Sequence, residues 1–149
     1  MWLPIDLDEG SLLDAVPIFP LPQMVLLPGE PMPLHIFEDR YRKMAESVLG
    51  AQRLMVMGHL RPGWELDYEG SPEIYKVAGL GKVVMDERLE DGRFNLLLWG
   101  MKRIRIKEVV QEKPFRMARV EIIDDIFSKT APDFLDSLES EILNLLQKV

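Results

Sequence analysis

Cysteine is absent from the chain. That single gap removes disulfides, thiol nucleophiles and zinc–thiolate sites together. Histidine is nearly absent, with His35 and His59 the only two in 149 residues. A His-x-x-Glu pair on a helix can hold a metal. His35 and Glu38 have that spacing, but His35 precedes the helix predicted below and His59 supplies no second pair, so His35 reads as structural. There is no G-x-x-x-x-G-K-[ST] phosphate loop and no G-x-S-x-G elbow around any serine. Glu90-Asp91 and Asp124-Asp125 are carboxylate neighbours at turns and strand ends, where solvation accounts for them, and Ser128-Lys129 is only a neighbour pair. Acid–base catalysis needs carboxyls in a pocket with separated pKa values, and nothing in these pairs supplies it. No apolar run approaches the ~20 residues of a membrane-spanning helix. The opening MWLPIDLDEG has neither the basic start nor the apolar core of a secretory signal. The expectation is a cytoplasmic, non-enzymatic protein without metal or cofactor.

Positive charge is missing from the front of the chain. No base precedes Arg40, whereas Asp6, Asp8, Glu9, Asp14, Glu30, Glu38 and Asp39 all do. Residues 93–119 reverse the balance, with Arg93, Lys102, Arg103, Arg105, Lys107, Lys113, Arg116 and Arg119 against Glu108 and Glu112. The net charge of −7 disfavours general nucleic-acid binding. The length suffices for one domain with its own core.

What the chain has in excess is early proline. Pro17, Pro20, Pro22, Pro28, Pro31 and Pro33 are six of its eleven. Each fixes φ and removes a backbone donor, so residues 16–36 form an extended, kinked ribbon suited to a sheet edge. Pro28-Gly29 marks a turn in it, leaving strands near 16–20 and 31–36. Residues 37–49 are predicted helical. Phe37, Tyr41, Met44, Ala45 and Val48 share one face, Glu38 and Asp39 suit the first turn, and Gly50 stops it.

Beyond the helix, 53–60 is an apolar run of strand length without alternation, expected to be covered on both faces. Residues 61–73 form a loop that exposes Trp64 and Tyr68 or folds them back as a lid. Residues 74–87 read as a strand kinked at Gly79 and Gly81, and Asp91-Gly92 as a hairpin turn. Phe94–Trp99 forms the next strand, ended by Gly100. Arg103, Arg105 and Lys107 then alternate with Ile104 and Ile106, giving a basic outer face. Phe115–Ile123 is the last strand, with an apolar phase slip between Met117 and Val120. A final helix spans 132–148, its wide stripe of Phe134, Leu135, Leu138, Ile142, Leu145 and Leu146 requiring a partner: the barrel, a downstream segment or another subunit. The sum is mainly β with α: about six strands and two helices, suggesting a small, partly open β-barrel.

Three stretches, in order, resemble one family. They are Ile18-Phe19-Pro20-Leu21 with Val25-Leu26-Leu27-Pro28-Gly29; then Pro33-Leu34-His35-Ile36-Phe37-Glu38-x-Arg40-Tyr41; then Tyr75-x-Val77-Ala78-Gly79-x-Gly81-x-Val83, followed by Asp91-Gly92-Arg93-Phe94-Asn95-Leu96-Leu97-Leu98 and Gly100-x-x-Arg103-Ile104-x-Ile106. Spacing and order are similar to the N-terminal domain of the Lon protease over roughly residues 16–123. The resemblance implies a PUA-like six-stranded barrel with one inserted helix and a C-terminal helix. It divides the chain into a lead-in (1–15), the barrel domain (16–127) and the start of a helical segment (128–149), truncated or free-standing. It also implies recognition of polypeptide substrates or a partner protein, with the ATPase and protease machinery elsewhere.

Pro33, His35, Phe37, Glu38, Arg40, Tyr41, Asp91, Gly92, Gly100 and Arg103 are then structural signature residues. Arg40 is expected to bond carbonyls of the proline ribbon, and Tyr41 to lie on the buried stripe. Trp64, Leu97 and Trp99 are the expected contacts for polypeptide. Trp99 shares strand parity with Asn95 and Leu97, so it faces outward if Phe94, Leu96 and Leu98 face in. The alternative reading is an RNA-binding PUA-like domain using the basic strand, although that strand lacks the interleaved aromatics of a single-strand reader. A small-molecule pocket like that of a zinc-bound receptor domain would need cysteines.

Overall fold

The computed structural model describes residues 7–123. The expected helix over 132–148, its subunit contact and the boundary at 127 lie outside these residues. Six strands and one helix follow in order: β1 (Leu12–Leu21), β2 (Pro31–Ile36), α1 (Asp39–Leu49), β3 (Leu54–His59), β4 (Val77–Arg88), β5 (Phe94–Gln111) and β6 (Met117–Ile123). A short 3-10 turn, Trp64–Asp67, sits in the β3–β4 loop.

The strands form one sheet in the order β2-β5-β4-β3-β1-β6, with β6 also pairing to β5. Following the hydrogen bonds from β5 through β4, β3, β1 and β6 therefore returns to β5. Among the described strands, only β1 and β3 run parallel. β2 lies outside this circuit, paired to β5 alone in a register running from Pro31 opposite Trp99 to Ile36 opposite Phe94. Prolines are tolerated there because an edge strand has one side on which no donor is required.

Two apolar clusters fill the molecule. One gathers Val16, Ile18, Leu54, Val56, Leu80, Ile104, Val120 and Ile122. These come from the five strands of the pairing circuit. The other places Tyr41, Met44, Ala45 and Val48 of α1 against Phe19, Ile36, Met55, Met57, Phe94, Leu96 and Leu98. β3 serves both, since Leu54 and Val56 join one cluster while Met55 and Met57 join the other. That is why its sequence shows no alternation. Burying each such large side chain contributes roughly 1.5–3 kcal/mol, so the helix face alone anchors α1 firmly.

Several expectations change in detail. β5 is continuous through Gly100, which is buried within the strand. α1 starts at Asp39, with Glu38 as the extended residue preceding it. Phe37 is therefore off the helix and 58% exposed, not on the buried stripe. In β6 the inward residues are Ala118, Val120 and Ile122, a plain alternation. The register shifts lie in its partners, at Ile106/Glu108 and Val109/Gln111 of β5 and at Leu13/Val16 of β1, where the extra residues fall.

Candidate functional site

Between β1 and β2 the chain crosses the sheet as a ridge, residues 22–30. Leu26 is its anchor, 1% exposed and part of the helix-side core. The strands beneath are glycine where the ridge touches them. A Cβ at Gly79 would stand 2.2 Å from the Leu26 carbonyl oxygen, and one at Gly100 only 2.0 Å from that of Leu27. Gly29 N–H donates to Gly100 O and Gly100 N–H to Glu30 O, both at 2.8 Å. These glycines, read from sequence as a kink and a strand end, are cut-outs that let a second layer of backbone lie flat on the sheet.

The neighbours of Leu26 consequently have nowhere to be buried. Met24, Val25 and Leu27 are 40%, 49% and 47% exposed. The ridge separates two apolar grooves. On one side Met24 joins Phe19, Leu21, Pro33, Phe37 and Tyr68 around a cavity of about 220 Å³ beside the edge strand β2. On the other, Val25 joins Met57, His59, Tyr75 and Val77 around one of about 280 Å³. The signal in the sequence was the run Met24-Val25-Leu26-Leu27 inside a proline-broken ribbon, where only one of four apolar residues can point inward.

The signature residues at the helix start fix one wall of the first groove. Arg40 donates to the carbonyls of Tyr68 and Gly70, each at 2.9 Å, and its Nε lies 3.5 Å from Glu38. Arg40 thus clamps the 61–73 loop, not the proline ribbon. The Tyr68 hydroxyl donates to Glu38. That bond, with some burial, pushes the Tyr68 pKa up to about 12. Trp64 packs edge-on to Tyr68 at 5.8 Å. Tyr41 is buried edge-on to Phe19 at 4.8 Å, and burial raises its pKa. Tyr68 reaches back to Glu38 yet remains exposed, and Leu66 in the same loop is 93% exposed.

His35 belongs to a polar row beside the hairpin. Its Nδ1 lies 2.8 Å from Asn95 Oδ1, and Asn95 in turn donates to Glu87 at 2.9 Å. The His35 Nε2 lies 3.4 Å from an Arg93 guanidinium nitrogen. At the turn, Gly92 has φ +90°, and the Asp91 carboxylate accepts from Arg93 N–H, which lowers its pKa. Among the described residues no group of three or more His, Asp and Glu converges to hold a metal.

The three expected contact residues are not brought together. Leu97 and Trp99 are half-buried on the outer face of β5, opposite Pro33 and Pro31 of β2. Leu97 also faces Met85, which is 65% exposed. Trp64 is half-buried on the loop, and none of the three lines either groove. On the basic strand Arg105 and Lys107 are exposed and Arg103 is half-buried. Acids interleave there, with Lys107 3.9 Å from Glu121 and Arg119 3.9 Å from Asp14. No helix among the described residues is long and apolar enough to cross a membrane.

Comparison with known proteins gives a consistent answer. The family model described as the ATP-dependent protease La (LON) substrate-binding domain matches residues 15–149. A Lon protease of Dictyoglomus thermophilum is 28% identical over 137 residues, covering 91% of this chain and 17% of that protein. Lon protease 2 of Sorangium cellulosum is 30% identical over 112 residues, covering 75% of this chain and 14% of that protein. The chain therefore spans about a sixth of the length of these relatives. Among solved structures, a Lon N-terminal domain protein from Xanthomonas campestris superposes with a TM-score of 0.59 at 22% identity, covering 75% of this chain and 61% of that one. The N-terminal domain of a Mycobacterium avium complex Lon protease gives 0.55 at 16% identity, with 91% and 69% covered.

Proposed function

Because the chain belongs to the family of LON substrate-binding domains, we propose that it is a non-catalytic module that binds unfolded or extended polypeptide, in the cytoplasm. One observation carries the reading. The ridge holds Met24, Val25 and Leu27 in water on a backbone pinned by Leu26, with an apolar groove on either side. Exposed apolar side chains that the fold does not use are the usual mark of a binding surface. Methionine adds adaptability, since its unbranched side chain fits differently shaped partners.

The proposed mode is side-chain docking, with apolar residues of the polypeptide filling the grooves. Strand addition at β2 is disfavoured, because Pro31 and Pro33 have no N–H to offer a new strand. Leu97, Trp99 and Met85 form a further apolar face on the same side of β5, and Trp64 supports the groove wall through Tyr68. We assign these four an accessory part. The pairing circuit through β6 supports the PUA-like barrel architecture within this reading. The acids interleaved on the basic strand weigh against an RNA-binding role.

The test is a tryptophan-fluorescence titration with a reduced and alkylated, permanently unfolded protein. A saturable change is expected, reduced several-fold by Val25→Ser with Leu27→Ser. Absence of any saturable change overturns the reading.

A further inference from the structure

The groove beside β2 sets apolar side chains such as Phe19, Leu21, Met24 and Phe37 beside the polar Glu38 and Tyr68. Glu65, Asp67 and Glu69 flank the groove-lining Tyr68 in the chain, and all three are exposed. Asp39 follows the groove-lining Glu38 but has Arg42 3.9 Å away. Of the other bases nearby, Arg116 feels the charges of Glu112 and Asp67. Arg40 is spent on Glu38 and two loop carbonyls, and Arg93 on Asp91 at 2.5 Å. Glu65 and Glu69, on the loop that supplies Tyr68 to this groove, therefore carry negative charge with no ion-pair partner among the described residues.

Resting on the polypeptide-binding reading above, we propose that this groove selects extended segments in which apolar side chains are flanked by lysine or arginine. The groove rewards apolar burial and the loop carboxylates reward cationic neighbours. The same carboxylates repel acidic flanks, so discrimination comes from repulsion as much as attraction. Because these charges are exposed, the preference weakens as salt shortens the Debye length.

The experiment uses three labelled peptides followed by fluorescence anisotropy. One has a leucine–phenylalanine core with lysine flanks, the second the same core with glutamate flanks, and the third lysine flanks around a serine–glycine core. The lysine-flanked apolar peptide is expected to bind about tenfold more tightly than the glutamate-flanked one at low salt, with the ratio shrinking toward unity in high salt. The third peptide is expected not to bind. The double variant Glu65→Lys/Glu69→Lys, whose substitutions lie on exposed loop positions, should invert the flank preference while leaving thermal stability unchanged. Equal binding of both apolar peptides, or a preference unchanged in the double variant, overturns the charge selection and leaves polypeptide binding intact. Failure of both apolar peptides to bind overturns polypeptide binding itself.

Discussion

The Tyr68 hydroxyl and the Glu38 carboxylate meet across thirty residues of chain, joining the β3–β4 loop to the start of α1. The bond holds only while Tyr68 is protonated. Its pKa is raised from 10.0 to about 12, chiefly by this hydrogen bond. A raised folded pKa means the contribution is complete below pH 10 and is lost as pH rises through 12. Stability measured by urea unfolding should fall across that interval in the wild-type protein. Tyr68→Phe should lose about 0.5–1.5 kcal/mol at neutral pH and show a shallower alkaline decline.

Arg40 is the loop's main clamp, through two carbonyls and one carboxylate. Arg40→Ala should cost about 1.5–3 kcal/mol, the range for hydrogen bonds to charged groups. It should also expose the 61–73 loop to limited proteolysis, seen as a new cleavage between residues 61 and 73. Arg40→Lys should rescue little, because an ammonium lacks the planar fork that spans both carbonyls.

Gly79→Ala and Gly100→Ala each force a methyl against ridge backbone at 2.2 and 2.0 Å. Overpacking of this kind costs about 1–3 kcal/mol or more. Since the ridge must lift to relieve it, polypeptide affinity should fall along with the unfolding midpoint. Gly92→Ala is the control. Its penalty comes from φ +90° at the β4–β5 turn, about 1–2 kcal/mol, with affinity preserved.

Phe37 and Tyr41 separate stability from binding. Tyr41 is 7% exposed and Phe37 58%. Tyr41→Ala should cost about 3–5 kcal/mol, as for a buried aromatic. Phe37→Ala should leave the melting temperature near wild type and weaken polypeptide binding several-fold in the fluorescence titration. A drop in melting temperature with unchanged affinity would return Phe37 to the scaffold.

That contrast marks where the sequence could and could not be read. Helical spacing placed Tyr41, Met44, Ala45 and Val48 on one buried face correctly, because a regular period reports a regular surface. It carried Phe37 along wrongly, because a residue one turn early shares the spacing without sharing the helix. Asp91-Gly92 was legible because a left-handed φ at a tight hairpin leaves few residue choices. The roles of Gly79 and Gly100 were not, since what they accommodate is backbone from residues 26 and 27, and no local pattern records a distant layer. Arg40 pointed to carbonyls as expected, but to those of a loop thirty residues onward. Leu97 and Trp99 were placed on the right face of their strand by parity alone, and parity says nothing of which neighbours share that face.

The double pairing of β6 has a consequence for how the chain acquires this shape. β1 leaves the ribosome about a hundred residues before β6, yet Leu12 finds its partner in Glu121 and Val16 in Ala118. Until β6 emerges, β1 and the second half of β5 both present unpaired edges, and the cluster holding Ile18, Leu80 and Ile104 lacks Val120 and Ile122. Loop closure over such a span is slow. During that wait the two open edges are sites for pairing with other chains. A protein proposed to hold unfolded polypeptide therefore spends its own synthesis as something that such a holder would recognise.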